Sequence, residues 1–207
     1  MAAFLRKKTI IILVILALVI ATGLYISTYF TFTSLKETVV YIQPLGDVNV
    51  DYSNHLKKSV EAFYGYECVI KPALPLTADL LAPSKTRYEA SKILVKYLSN
   101  HNLLLVTEKD IAHHKNAEFP EWGIFGLGFR PGKTCVVSTF RLQRNVSRAQ
   151  FLERLRKVAL HEIGHNLGLD HCTHHSQCMM NDANGTIKQV DQEKVWFCDQ
   201  CRAQLAE

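Results

Sequence analysis

All eight tyrosines of the chain lie at or before Tyr97, and none follows it. Net charge is nearly absent as well. Without Arg6, Lys7 and Lys8, the 24 basic side chains fall to 21 against 19 acidic ones. A near-neutral domain has no electrostatic footprint for a phosphate backbone, which excludes nucleic acid as a partner. No internal repeat or low-complexity segment stands out. Charge is missing altogether from Thr9 to Ile26, where an apolar run from Ile10 to Ile20 continues through Ala21, Gly23, Leu24 and Ile26. That length fits a short transmembrane helix better than the core of a cleaved signal peptide. Tyr25, Tyr29, Phe30 and Phe32 then stand where aromatic rings favour the membrane boundary. The expectation is a cytoplasmic basic tail over residues 1–8 and a transmembrane signal anchor over 9–30. The positive-inside rule places the rest of the chain outside the cytoplasm, in a single-pass membrane protein. A signal peptide cleaved near Val19-Ile20-Ala21 is the runner-up, and a buried soluble helix is third.

From about residue 36 the sequence is long enough for one domain with its own core. Glu37–Gln43 has the β-branched and aromatic pattern of a strand, ended by Pro44. Asp51 stands as the N-cap of an amphipathic helix that buries Leu56, Val60 and Phe63 and closes at Gly65. Glu67–Lys71 reads as a second strand, and Leu74–Arg87, with two prolines, as a loop. Tyr88–Leu98 has helical spacing, whereas Asn102–Thr107 is the continuous apolar run of a central strand. His113 and His114 have no ligand spacing to anything nearby and read as solvated loop residues. Trp122–Phe129 and Lys133–Arg141 read as two strands joined by Arg130-Pro131-Gly132. Gly123, Gly126 and Gly128 in the first of these leave two readings open. They thin an edge strand so that a substrate backbone adds to it, or they simply bend it. Ser147 and Gln150 have the capping-box spacing, with Val146 and Phe151 as a hydrophobic staple, and start a helix over Arg148–Asn166. Arg141, Arg144 and Arg148 read first as solvated surface charge, and second as a group that draws acidic substrates. The alternation of strands and helices predicts an α/β domain with a mixed sheet.

The end of that helix and its continuation, His161–His171, read HEIGHNLGLDH. Residues at i and i+4 share a helix face, so His161 and His165 can hold one zinc ion, with Glu162 leaning toward the water that completes its shell. Gly168, one turn on, suits the left-handed residue that stops a helix. The turned chain then returns His171 as a third ligand, leaving the fourth position open as catalytic zinc requires. A bare H-E-x-x-H is a weak signal; its extension with glycine and a third histidine is the metzincin pattern.

Cys172 follows directly, then Cys178, Met179-Met180 and Cys198-Asp199-Gln200-Cys201. The combined run resembles the archaemetzincins, a metzincin branch of zinc metallopeptidases, and weaker likeness extends from Val39 onward. The resemblance implies a metzincin-like zincin fold, a mixed twisted sheet with a long active-site helix. It implies catalytic zinc on His161, His165 and His171, Glu162 as general base, and Met180 in a Met-turn beneath the site. It also implies a second, structural zinc on Cys172, Cys178, Cys198 and Cys201, hence two Zn2+ per chain. Five residues separate Cys172 from Cys178, one more than is usual, which makes His174 or His175 a conceivable substitute ligand. Outside the cytoplasm the same thiols have disulfides as an alternative, with Cys68 and Cys135 as a third pair. Cys68 and Cys135 otherwise read as buried thiols in strands.

The expected activity is hydrolysis of a peptide or protein substrate by a zinc-bound water, with Glu162 taking its proton. With no tyrosine after the Met-turn, a fifth ligand used by some metzincins is missing. Two alternatives stay open. One is a membrane-tethered zinc module that recognises peptides without cutting them, against which an intact Glu162 argues. The other is a hydrolase of non-peptide amides.

Overall fold

The computed structural model describes residues 38–205. Its main sheet has five strands in the order β2-β1-β4-β8-β7. These are β1 (Val39–Pro44), β2 (Glu67–Ile70), β4 (Asn102–Thr107), β7 (Gly126–Gly128) and β8 (Thr134–Ser138). The first four strands in that order run parallel, and β7 closes one edge antiparallel to β8. The sheet is therefore mixed, as expected. A second sheet, β3-β5-β6, is not expected from the sequence; it consists of β3 (Tyr88–Glu89), β5 (Ile111–His113) and β6 (Trp122–Ile124), of which only β6 falls in an expected strand.

Alternate residues of the central strands feed two cores. Ile42, Leu104, Val106 and Val137 pack toward α1 (Val50–Tyr64) and α3 (Arg148–Asn166). Leu105 and Val136 face the other way, toward Ile93 and Leu94 of α2 (Ala90–Lys96). Each fully buried leucine or isoleucine here contributes about 1.5–3 kcal/mol, which is why Asn102–Thr107 reads as one apolar run: it serves both cores.

Local signals set the helix ends. Asn49, rather than Asp51, caps α1, its side chain accepting from the Asp51 amide at 2.9 Å. Gly65 closes the same helix at φ +70°. The Ser147 hydroxyl accepts from the Gln150 amide at 3.2 Å and starts α3 where the spacing predicts. Two expected elements are corrected. Tyr88–Leu98 is helical only over Ala90–Lys96, because Tyr88 and Glu89 pair with β5 first. Trp122–Phe129 is two strands in two sheets, since Phe125 separates β6, paired to β5, from β7, paired to β8.

The expected transmembrane helix is also corrected. Among the described residues no helix is long and apolar enough to cross a membrane. The longest, α3, has 19 residues but carries Arg154, Lys157 and Glu162 on its buried positions. The span over residues 9–30, the tail over 1–8 and the placement outside the cytoplasm drawn from them lie outside the described residues. Over the described residues the fold is a mixed α/β domain, with no membrane-crossing helix among its elements.

Candidate metal and active site

α3 lies against the edge of the main sheet and carries His161, Glu162 and His165 in its last two turns. The helix then ends in a Schellman turn. Gly168 sits at φ +100°, its amide donating to His165 O at 2.9 Å, while the Leu169 amide reaches back to Gly164 O at 3.0 Å. This left-handed turn, open to glycine at little cost, reverses the chain and brings His171 to the first two histidines.

The three imidazoles present ligand atoms that all lie within 4.8 Å of one another. His161 Nδ1 donates to the Met179 carbonyl and His165 Nδ1 to the Leu169 carbonyl, each at 2.7 Å. With the proton on Nδ1, each ring turns a bare Nε2 lone pair inward, the orientation metal-ligating histidines adopt. His165 Nε2 stands 3.2 Å from His171 Nε2. That separation is close to the edge, about 3.3 Å, of a tetrahedron with zinc–nitrogen bonds of about 2.05 Å. Burial, then the neighbouring His165, holds His161 at about 3, so its ring stays neutral as a ligand must be. The donor set fits zinc.

Glu162 is buried beside them, and that burial pushes its carboxyl up to about 8. Met180 lies beneath, fully buried, and a Cβ at Gly164 would meet its sulfur at 2.6 Å. The histidines and Glu162 open on a cleft of about 300 Å³ whose other wall is Phe125–Gly128.

The four cysteines form a second cluster. Cys172 Sγ is 3.6 Å from Cys198 Sγ, Cys198 is 3.6 Å from Cys201, and Cys178 is 3.8 Å from Cys201. A disulfide needs about 2.05 Å, whereas the edge of a zinc–thiolate tetrahedron is about 3.8 Å, from bonds of about 2.3 Å. All six cysteines are free, with Cys68 and Cys135 buried in β2 and β8, so the disulfide alternative departs from the structure. His175 does not replace a cysteine; its Nδ1 accepts from the Gln177 amide and its ring packs on Trp196.

Comparison with known proteins settles the ancestry. Residues 101–207 match peptidase family M54. An archaemetzincin of Archaeoglobus fulgidus is 34% identical over 166 residues, covering 80% of this chain and 98% of its own. The chain belongs to peptidase family M54. It is thereby a zinc metallopeptidase. A second archaemetzincin, from Halobacterium salinarum, is 28% identical over 174 residues, covering 79% of this chain and 96% of its own. The crystal structure of the Archaeoglobus fulgidus archaemetzincin superimposes with a TM-score of 0.71 at 32% identity, covering 81% of this chain and 99% of that one. That from Methanopyrus kandleri shares the fold, with a TM-score of 0.70 at 23% identity over 83% and 96% of the two chains.

Within this peptidase domain the three glycines separate. Gly126 and Gly128 line the cleft from β7, but Gly123 lies in the other sheet, where its Cα faces the Arg141 guanidinium. Arg141 and Arg148 are not free to draw acidic substrates, since Asp110 and Asp51 hold them at 2.7 Å. Sequence spacing missed two residues of the site. His113, read as a solvated loop residue, ends β5 and lines the cleft with a buried Nδ1 that has no partner. Glu193 lines the same cleft from beyond the Met-turn. Neither has a recognisable spacing to the ligands; only the fold brings them there.

Proposed function

We propose that the chain hydrolyses peptide bonds with Glu162 as general base, and that it carries two zinc ions. One is held by His161, His165 and His171, the other by Cys172, Cys178, Cys198 and Cys201. The observation that supports this reading best is the convergence of three inward Nε2 atoms and the Glu162 carboxyl on one cleft. Zinc, when bound there, supplies a Lewis acid that polarises a carbonyl and acidifies water.

The protein supplies the rest. Glu162 takes a proton from the attacking water and passes it to the leaving amine. Burial raises the Glu162 carboxyl to about 8, and a cation held by the three imidazoles would favour its ionised, proton-accepting form. An extended substrate lies along β7, which has β8 as its partner on one side and lines the cleft. Main-chain hydrogen bonds of this kind position a peptide whatever its side chains. Of the three glycines, only Gly126 and Gly128 belong to that role.

The test is Glu162→Gln, a change of charge at constant shape. Hydrolysis of a peptide mixture should fall to background while zinc content stays at two per chain, whereas His165→Ala should lose one zinc. Turnover by Glu162→Gln equal to the wild type would remove Glu162 from the mechanism.

A further inference from the structure

Glu193 has no role in the chemistry above, yet its burial is unusual. It follows α4 (Ile187–Gln192), its amide bonded back to Gln189 O at 3.1 Å. The residue is 6% exposed, and its Oε1 has no hydrogen-bond partner. Buried polar atoms are nearly always paired, and an orphan in a native fold needs an explanation. Here the carboxyl belongs to the wall of the cleft that holds the zinc-binding histidines and Glu162.

The surroundings limit what can satisfy it. Val158 of α3 and Val190 of α4 give the cleft apolar wall beside Glu193, while Glu162 and Asp182 are its other carboxylates and Arg130 its cationic side chain. Arg154 is committed to Asp191 at 2.6 Å. Lys157 faces Glu193 and favours its ionised form, but gives its ammonium to the Val190 carbonyl at 3.0 Å. A long aliphatic stem tipped by a cation matches this arrangement: the methylenes cover valine surface while the head meets the carboxylate.

We propose that Glu193 makes the cleft select a substrate with a lysine or arginine side chain next to the scissile bond. The proposal rests on reading the histidine cleft as the peptidase site. Lys157 offsets part of the attraction, so the preference over an apolar isostere is set at about tenfold rather than at the limit of a fully desolvated ion pair.

Two arms test it. Zinc-loaded wild-type protein digests a peptide mixture in which one position is lysine, arginine, glutamine, glutamate or norleucine, and mass spectrometry reads the residues flanking each cut. Lysine and arginine should exceed norleucine about tenfold in kcat/KM at one flanking position, with glutamate last. That ratio should collapse toward one in Glu193→Gln. In the second arm, zinc-loaded Glu162→Gln protein binds fluorescein-labelled heptapeptides with lysine or norleucine moved through each position. Lysine should bind more tightly at one position, and the Glu162→Gln, Glu193→Gln double variant should lose this. Cleavage without a basic preference, or one that survives in Glu193→Gln, overturns the proposal and leaves the peptidase reading intact. Basic-selective binding without any cleavage supports the proposal and removes the peptidase reading. Equal binding of lysine and norleucine in the second arm overturns the proposal whether or not cleavage occurs, and the wild-type comparison stands even if the variant fails to fold.

Discussion

A methyl group added at Gly126 would stand 2.6 Å from Glu162 Oε1, closer than such contacts ever come. The edge strand is thin at that point because the carboxylate needs the room. Gly126→Ala should therefore displace Glu162 by a fraction of an ångström to an ångström and lower kcat/KM by roughly 10²-fold, with zinc content and melting temperature little changed. A variant as active as the wild type would mean that β7 and Glu162 move independently. Glu193 makes a residue-scale prediction of its own. Burial raises its carboxyl from 4.5 to about 7, with Gln189 and Lys157 pulling the other way. Between those two values the folded protein binds more protons than the unfolded chain, so Glu193 lowers stability as pH rises through that window, and no further above it. Glu193→Gln should melt higher than the wild type at pH 8, and the difference should shrink toward pH 4.5. Loss of metal on acidification affects both proteins alike and drops out of the difference. Parallel melting curves at every pH would show that Glu193 does not titrate in this range.

At the scale of elements, α3 and its left-handed end do most of the positioning. Gly168→Ala forces a Cβ into φ +100°, a cost of about 1–2 kcal/mol that falls on the turn delivering His171. Zinc bound at the histidines should then dissociate faster under a chelator, while the cysteine site keeps its metal. A dissociation rate matching the wild type would show that His171 does not depend on that turn. The other end of the helix is held by Arg154, which donates to both Asp191 oxygens at 2.7 and 2.6 Å and to Leu142 O at 3.0 Å. Asp191→Asn leaves that arginine buried without its charge partner and should cost about 3 kcal/mol, read as a lower urea midpoint with unchanged slope. An unchanged midpoint would make the pair no more than a surface contact. These elements were legible because their signals are local: Ser147 and Gln150 for the start of α3, Gly168 for its end, the i, i+4 histidines for its face. What was not legible depends on pairing across the chain. Tyr88 and Glu89 have helical neighbours but join β5, and Trp122–Phe129 looks continuous although Phe125 turns the chain from one sheet into the other. His113 and Glu193 escaped notice for the same reason, since nothing in their own surroundings in sequence says which cleft they face.

At the scale of the molecule, the cysteine cluster joins the C-terminal segment to the histidine cluster. Cys172 adjoins His171, and its amide donates to the Met180 carbonyl at 2.7 Å. Cys178 stands two residues before Met180, and Cys198 and Cys201 come from the start of α5 (Asp199–Leu205) and the residue before it. Phe197, next to Cys198, packs edge-on against Phe63 of α1 at 5.1 Å between ring centres. A metal at the four thiolates would thus pin the floor of the histidine site to the opposite helix, supporting ligand orientation without touching substrate. Two zinc ions per chain are expected in protein prepared without chelator. Cys198→Ser should lower melting temperature and kcat together while KM for a peptide changes less, because orientation of the ligands is lost rather than substrate contact. A reducing agent alone should leave both unchanged, since no sulfur–sulfur bond is there to break. One zinc per chain, with activity lost on mild reduction, would show that the thiols pair with each other instead. Full activity in Cys198→Ser at lowered stability would show that the cluster holds the fold together but leaves the histidine site to stand without it.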